Sequence, residues 1–265
     1  MIVPLHQLTA AIYLLASIVA GLGMSVPSRR AARIAVGLLV LGAVVHGATF
    51  SIFHMAESPP GITELPAAVS FMAWVGTFFF LILMLRRKHL ARLVVVVAPV
   101  SFLGVFFAAL RLPSAGPATG LGSGTWPHAH VLLASAGLSL GGIAALAGVL
   151  FLTEHGRLKA KRPLPAWLNL PSLESLDRVG AAALAIGFPL LTLGVIAGMI
   201  WLQTLEGRGW PTTAHELWTL VAWVVYAVLV TLRFTSLQGA RSAAAFAVGG
   251  FAFLLFAVIG VGLLP

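Results

Sequence analysis

The sequence predicts an all-α fold, an integral membrane bundle of eight transmembrane helices with both termini on the non-cytoplasmic side. Three observations predict it. The first is composition: 60% hydrophobic and 9% charged residues, with a mean hydropathy of +1.03, leave too little polar surface to solvate a water-exposed domain. The second is a series of eight apolar runs, each near the roughly 20 residues that an α-helix needs to cross a hydrocarbon core of about 30 Å. The third is the placement of Lys and Arg, which gather in every second connection.

Taken in order, the runs are Pro4–Met24, Ile34–Phe53, Leu65–Leu85, Leu93–Leu110, His130–Leu152, Val179–Leu202, Leu217–Leu232 and Ala243–Leu264. Lipid offers no hydrogen bonds to a backbone, so each run is expected to be helical along its whole length. The first has no basic segment before it and no small-residue cleavage site after it, and is read as a retained helix. Residues 1–265 are expected to form one transmembrane domain, with its distinctive sequence in 172–227.

Orientation follows from the cations. Arg29, Arg30 and Arg33 lie between the first and second runs, Arg86, Arg87, Lys88 and Arg92 between the third and fourth, and Arg157, Lys159, Lys161, Arg162 and Arg178 between the fifth and sixth. Arg233 and Arg241 flank the last connection, while the opposite connections hold only Arg111 and Arg208. Basic connections face the cytoplasm, so the net charge of +9 is a topology signal. It is spread over four short juxtamembrane segments without interleaved aromatics, which argues against nucleic acid as a partner. The absence of cysteine excludes disulfides, thiol redox chemistry and thiolate ligation.

On this topology the opposite surface is chemically unusual. It receives "HMAESPPGITE", "RLPSAGPATGLGSGTWPHAH" and "QTLEGRGWPTTAHE", and with them His54, His128, His130 and His215. His46 lies about two turns below, inside the second run, where an ionisable group is costly and suggests function by default. His89 and His155 fall on the basic side. In "GRGWPTTAHELWTLVAWVVYA" Thr212 or Thr213 can cap a helix, after which His215, Trp218 and Thr219 share one face. The positive end of that helix favours an anionic group. Trp126, Trp201, Trp210 and Trp218 are equally placed to form an interfacial aromatic belt. A flat, anionic macrocycle such as haem suits the set: tryptophan faces to stack on it, imidazoles for its iron, and a helix terminus or Arg208 for a propionate.

Longer stretches carry a resemblance. "SLESLDRVGAAALAIGFPLLTLGVIAGMIW" followed by "GRGWPTTAHELWTLVAWVVYA" resembles the core of the cytochrome c assembly family of haem-handling membrane proteins. So do "AHVLLASAGLSLGGIAALAGVLFLTEHGRLKAK" and "ELPAAVSFMAWVGTFFFLILMLRR". By position, Gly207, Trp210, Glu216, Trp218 and Trp223 match the family's tryptophan-rich motif, and His130 matches its external axial histidine. Glu206 replaces the first motif Trp, Thr212, Thr213, Ala214 and His215 replace Trp, Asp, Pro and Lys, and no histidine follows His215. These departures make the chain similar to the short HemX-like or YpjD-like members.

The resemblance implies a haem-binding or haem-passing factor in cytochrome c biogenesis, in a bacterial cytoplasmic membrane, at most an accessory to haem attachment. Haem, membrane lipid, and apocytochrome c or other haem-pathway membrane proteins are the implied partners. The competing reading is a non-catalytic membrane regulator of haem synthesis or an accessory subunit of a larger membrane complex. The expected cofactor-binding residues are His130, His215, His46, Trp210, Trp218, Trp126, Arg208 and Glu216, with His130 and His215 on the iron. A reporter fused after Pro265 is expected to show the phosphatase-type activity of the non-cytoplasmic side. Activity of the cytoplasmic type would overturn the topology.

Overall fold

The computed structural model describes residues 2–26, 28–54, 62–86, 88–112, 124–161, 172–235 and 239–260. Among them are eight α-helices and no strand, and all eight helices are long and apolar enough to cross a membrane. Two compact units divide the chain, Met1–Ser123 and Gly124–Pro265. The first holds α1 (Ile2–Ser25), α2 (Arg29–His54), α3 (Leu65–Arg86) and α4 (Val94–Arg111), the last entered through a 3-10 stretch, Lys88–Leu93. The second holds α5 (Thr125–Lys159), α6 (Leu173–Glu206), α7 (Ala214–Thr235) and α8 (Ala240–Leu255), which continues as a π-helical turn, Phe256–Gly260.

Each expected run is a helix. The last was expected to reach Leu264, and residues 261–265 lie outside the described ones. α5 and α6 outrun expectation at both ends, with 35 and 34 residues, about 50 Å each at 1.5 Å per residue. Apolarity alone measures only the part of a helix that lies in hydrocarbon, whereas their ends carry polar turns such as "TEHGRLK" and "LESLD". The ends of α6 are set by local chemistry. Ser172 is its N-cap, its hydroxyl accepting the Ser175 N–H at 3.2 Å, and Gly207 ends it in the left-handed region at φ 67°, a conformation that favours glycine.

Within the first unit, α1 packs on α2 and α4, and α3 packs on α4. Ala10, Tyr13, Ala16, Ala35, Leu39, Phe80, Val94, Ala98 and Val105 form its apolar core. Toward the His6 end of α1 the core turns polar. His6, Thr9, Tyr13, His46, Thr49, Ser70, Thr77 and Ser101 are all buried. His46 Nε2 meets Ser70 Oγ at 3.0 Å and its Nδ1 meets the Tyr13 hydroxyl at 3.4 Å, while Thr77 and Ser101 share a bond of 2.6 Å. Phe50 stacks on His46 with ring centroids 5.3 Å apart, and His6 stands edge-on to it at 6.4 Å. The Trp74 indole N–H donates to the Ala43 carbonyl at 2.9 Å. In hydrocarbon such bonds, together with close packing, are what hold helices to one another.

In the second unit α5 is the spine, with α6 along one side and α8 along another. Glycine makes the α5–α6 approach possible. A Cβ on Gly137 would stand 2.6 Å from the Leu191 amide nitrogen, and one on Gly194 would stand 2.8 Å from the Ala134 nitrogen, so backbone meets backbone at both places. α7 is tied to α6 by side chains at two levels, the Trp223 indole N–H to Thr192 Oγ1 at 3.1 Å and Arg233 to Asp177 at 2.8 Å, and Arg208 to Glu216 ties its start to the loop that leaves α6.

Because the obstacle at Gly137 is a backbone, Gly137→Ala is expected to lower the melting midpoint of the detergent-solubilised protein. Overpacking of about 1–3 kcal/mol outweighs the helix-propensity gain of about 1 kcal/mol. Gly37→Ala, where nothing stands within 4 Å of the new Cβ, is not expected to lower it.

Candidate functional site

The site is built at the end of the second unit where α5 begins, α6 ends and α7 begins. α5 opens with "TWPHAH", and Pro127 sits in its first turn, where a missing N–H costs no helical bond. That start brings His130 onto the face of α5 that meets α6. The imidazole lies against a glycine: a Cβ on Gly198 would stand 2.7 Å from His130 Nδ1 and 3.0 Å from Cε1. Nδ1 is 2.8 Å from the Gly194 carbonyl oxygen. A carbonyl only accepts, so Nδ1 carries the proton and Nε2 keeps its lone pair. Among the described residues Nε2 makes no hydrogen bond. The Trp201 ring lies 6.1 Å from the imidazole, tilted by 40°. Gly194, Gly198 and Trp201 thus form one stripe of α6 that seats His130.

His215, in the first turn of α7, is exposed and within Coulombic range of His130. The turn it belongs to is closed by a capping box. Thr213 Oγ1 accepts the Glu216 N–H at 3.3 Å, and Glu216 Oε2 accepts the N–H groups of Thr213 at 3.1 Å and Thr212 at 2.8 Å. Arg208 binds both carboxylate oxygens of Glu216 at 2.9 Å and adds bonds to Thr212 Oγ1 and the Trp210 carbonyl. Arg208 and Glu216, expected beside a ligand, therefore fold the 207–213 loop onto the start of α7.

The described tryptophans of this unit divide into two sets. Trp126, Trp210 and Trp218 are exposed, and Trp218 meets Phe253 and Phe256 edge-on, both at 6.2 Å. Trp201 and Trp223 are half-buried and make the contacts inside the unit. His46 belongs to the first unit, with both ring nitrogens engaged. His128 Nδ1 donates to the Gly124 carbonyl at 2.6 Å. Two groups were missed in the sequence. The seat of Gly194, Gly198 and Trp201 was signalled by their i, i+4, i+7 spacing, and the buried His6 by sharing a helical stripe with Thr9 and Tyr13.

One oriented imidazole, an indole beside it and a second imidazole at the start of α7 are nitrogen donors and an aromatic face of the kinds that can hold a metal macrocycle. Fold and site together define a multi-pass helical membrane protein with an oriented histidine at one end of a four-helix unit. The profile of the "Cytochrome C assembly protein" family matches residues 62–265, and the chain belongs to that family. It is 30% identical over 253 residues to the cytochrome c biogenesis protein CcsA of Gloeothece citriformis, covering 77% of this chain and 76% of the relative. It is 30% identical over 235 residues to that of Prochlorococcus marinus, with 77% and 73% covered, and 28% identical over 222 residues to that of Guillardia theta, with 77% and 73% covered. The matched residues begin just before α3, so His6 and His46 lie outside the family match.

The capping box predicts its own test. Thr213→Ala is expected to cost about 1 kcal/mol, and Glu216→Gln to lower the melting midpoint as well. The double variant is expected to lose less than the sum of the two, since both act on one bonded unit.

Proposed function

We propose that this chain binds haem as cargo and hands it on during cytochrome c biogenesis, with no covalent chemistry of its own beyond assisting attachment. The observation that carries the reading is the state of His130: its Nδ1–H is committed to the Gly194 carbonyl, which leaves the lone pair on Nε2. Metal-binding imidazoles are oriented in this way. When bound, haem supplies an iron that accepts axial nitrogen ligands. This chain's residues hold, orient and release it. His130 gives the first ligand, His215 gives the second from the start of α7, and Trp201 shields the first imidazole on its α6 side. Trp210, Trp218 and Trp126 present indole faces at the same end, for the macrocycle or for the lipid interface.

Membership of the family and the names of the relatives support cytochrome c biogenesis as the setting. The departures at Glu206 and at Thr212, Thr213, Ala214 and His215 support the short HemX-like or YpjD-like kind of member. Alternating cations support a bacterial cytoplasmic membrane with the His130 end directed outward, where apocytochrome c or another haem-pathway membrane protein takes the cargo. A regulatory or accessory-subunit role is favoured by one feature, the mutual engagement of Arg208 and Glu216, which leaves a propionate to other groups.

Purified in detergent and supplied with haemin, the protein is expected to develop a Soret band that His130→Ala abolishes or shifts. His155→Ala, at the far end of α5 and stacked on Phe151, is expected to leave the band unchanged. His215→Lys is expected to turn a six-coordinate low-spin spectrum into one that binds exogenous ligand. An unchanged low-spin spectrum would return the second-ligand role to another histidine. No Soret band in the wild type would remove the haem reading altogether.

A further inference from the structure

Resting on that haem reading, we infer that Gly198 and the Gly194 carbonyl are the positioning elements that make Nε2 of His130 the iron-binding atom. Three facts on α6 carry it. The Gly194 carbonyl oxygen, 2.8 Å from Nδ1, settles the tautomer. Gly198, one turn further on, leaves the volume that the ring occupies, because a Cβ there would overlap Nδ1 at 2.7 Å and Cε1 at 3.0 Å. Trp201, another turn along, tilts over the ring at 6.1 Å. The ring is thus held at one edge by a hydrogen bond and fits on one side into space that a side chain at 198 would fill, so that Nε2 is the nitrogen left with a lone pair.

At Gly137 and Gly194 a new Cβ would meet a neighbouring backbone, whereas the nearest atoms to a Cβ on Gly198 all belong to the His130 imidazole, as those at Gly42 belong to the Tyr13 ring. Any larger residue at 198 pushes the ring off the carbonyl that orients it. The N–H bond to the carbonyl also raises the basicity of Nε2, as partners of ligating histidines commonly do.

The test uses the full-length protein in detergent, titrated with haemin and followed by absorption and electron paramagnetic resonance. Gly198→Ala is expected to weaken haemin binding by about tenfold or more and to shift the ferric spectrum toward high spin. Gly180→Ala, where the new Cβ would meet Ala144 and Ala147 at an ordinary 3.8 Å, serves as the α6 control and is expected to behave as wild type. A second measurement does not depend on Gly198→Ala folding. In His130→Gly, added imidazole is expected to restore the wild-type spectrum by donating one N–H to the Gly194 carbonyl and binding iron through the other nitrogen. Added 1-methylimidazole, which lacks that N–H, is expected to need at least about ten times the concentration. If wild type binds haemin and the two imidazoles restore the His130→Gly spectrum equally well, the positioning role is overturned while the haem reading stands. If wild type shows no Soret band, the reading beneath it fails first.

Discussion

The close approach of α5 and α6 is the contact on which the site depends. Membrane helices gain little from excluding lipid, so their association rests on van der Waals contact and on hydrogen bonds across the seam. Gly137, Gly187 and Gly194 bring the two helices near enough for both. The same closeness lets the His130 imidazole reach a backbone carbonyl of α6, a group that a wider seam would hold beyond hydrogen-bond range. Packing and the orientation of His130 are therefore one geometric condition, satisfied by the same stripe of small residues.

α7 is held differently. It touches α6 through polar clasps at two levels, and a third clasp, which ties its start to the loop that leaves α6, carries the most bonds. Arg208, Thr212, Thr213 and Glu216 satisfy one another around the start of the helix, so that the loop from Gly207 is tied down before any ligand arrives. His215 sits within this fixed turn. Its position follows from the cap, and its imidazole is exposed, whereas that of His130 is seated against α6 by the Gly194 carbonyl and the space left at Gly198.

Much of the fold was legible because hydrocarbon thickness is a ruler, and runs of the right length with cations between them leave few alternatives. The ends of α5 and α6 were not, since beyond the hydrocarbon a helix continues on local grounds that apolarity does not record. At the site, His130 could be picked out by resemblance, yet its orientation depends on a residue 64 positions away, Gly194, and tertiary partners at that distance are invisible in local spacing. Arg208 and Glu216 show the opposite case. The pattern Thr213-x-x-Glu216 is a capping box readable from four residues, and weighing it would have placed Glu216 in the helix cap. His6 shares one stripe with Thr9 and Tyr13, but a histidine near the start of the first helix looks like a surface residue until the neighbouring helices close over it.

The buried network around His46 also bears on how the chain is assembled. Ser70, which meets Nε2, is on α3, and Tyr13, which meets Nδ1, is on α1. α2 entering the bilayer with only α1 beside it leaves one imidazole nitrogen facing lipid, a state disfavoured in hydrocarbon. Relief comes only with the third helix, and Thr77 of that helix then finds Ser101 on the fourth. The polar core thus closes in a chain of dependencies from α1 to α4, and a chain ending after the second crossing would leave an imidazole nitrogen of His46 without the partner that α3 brings.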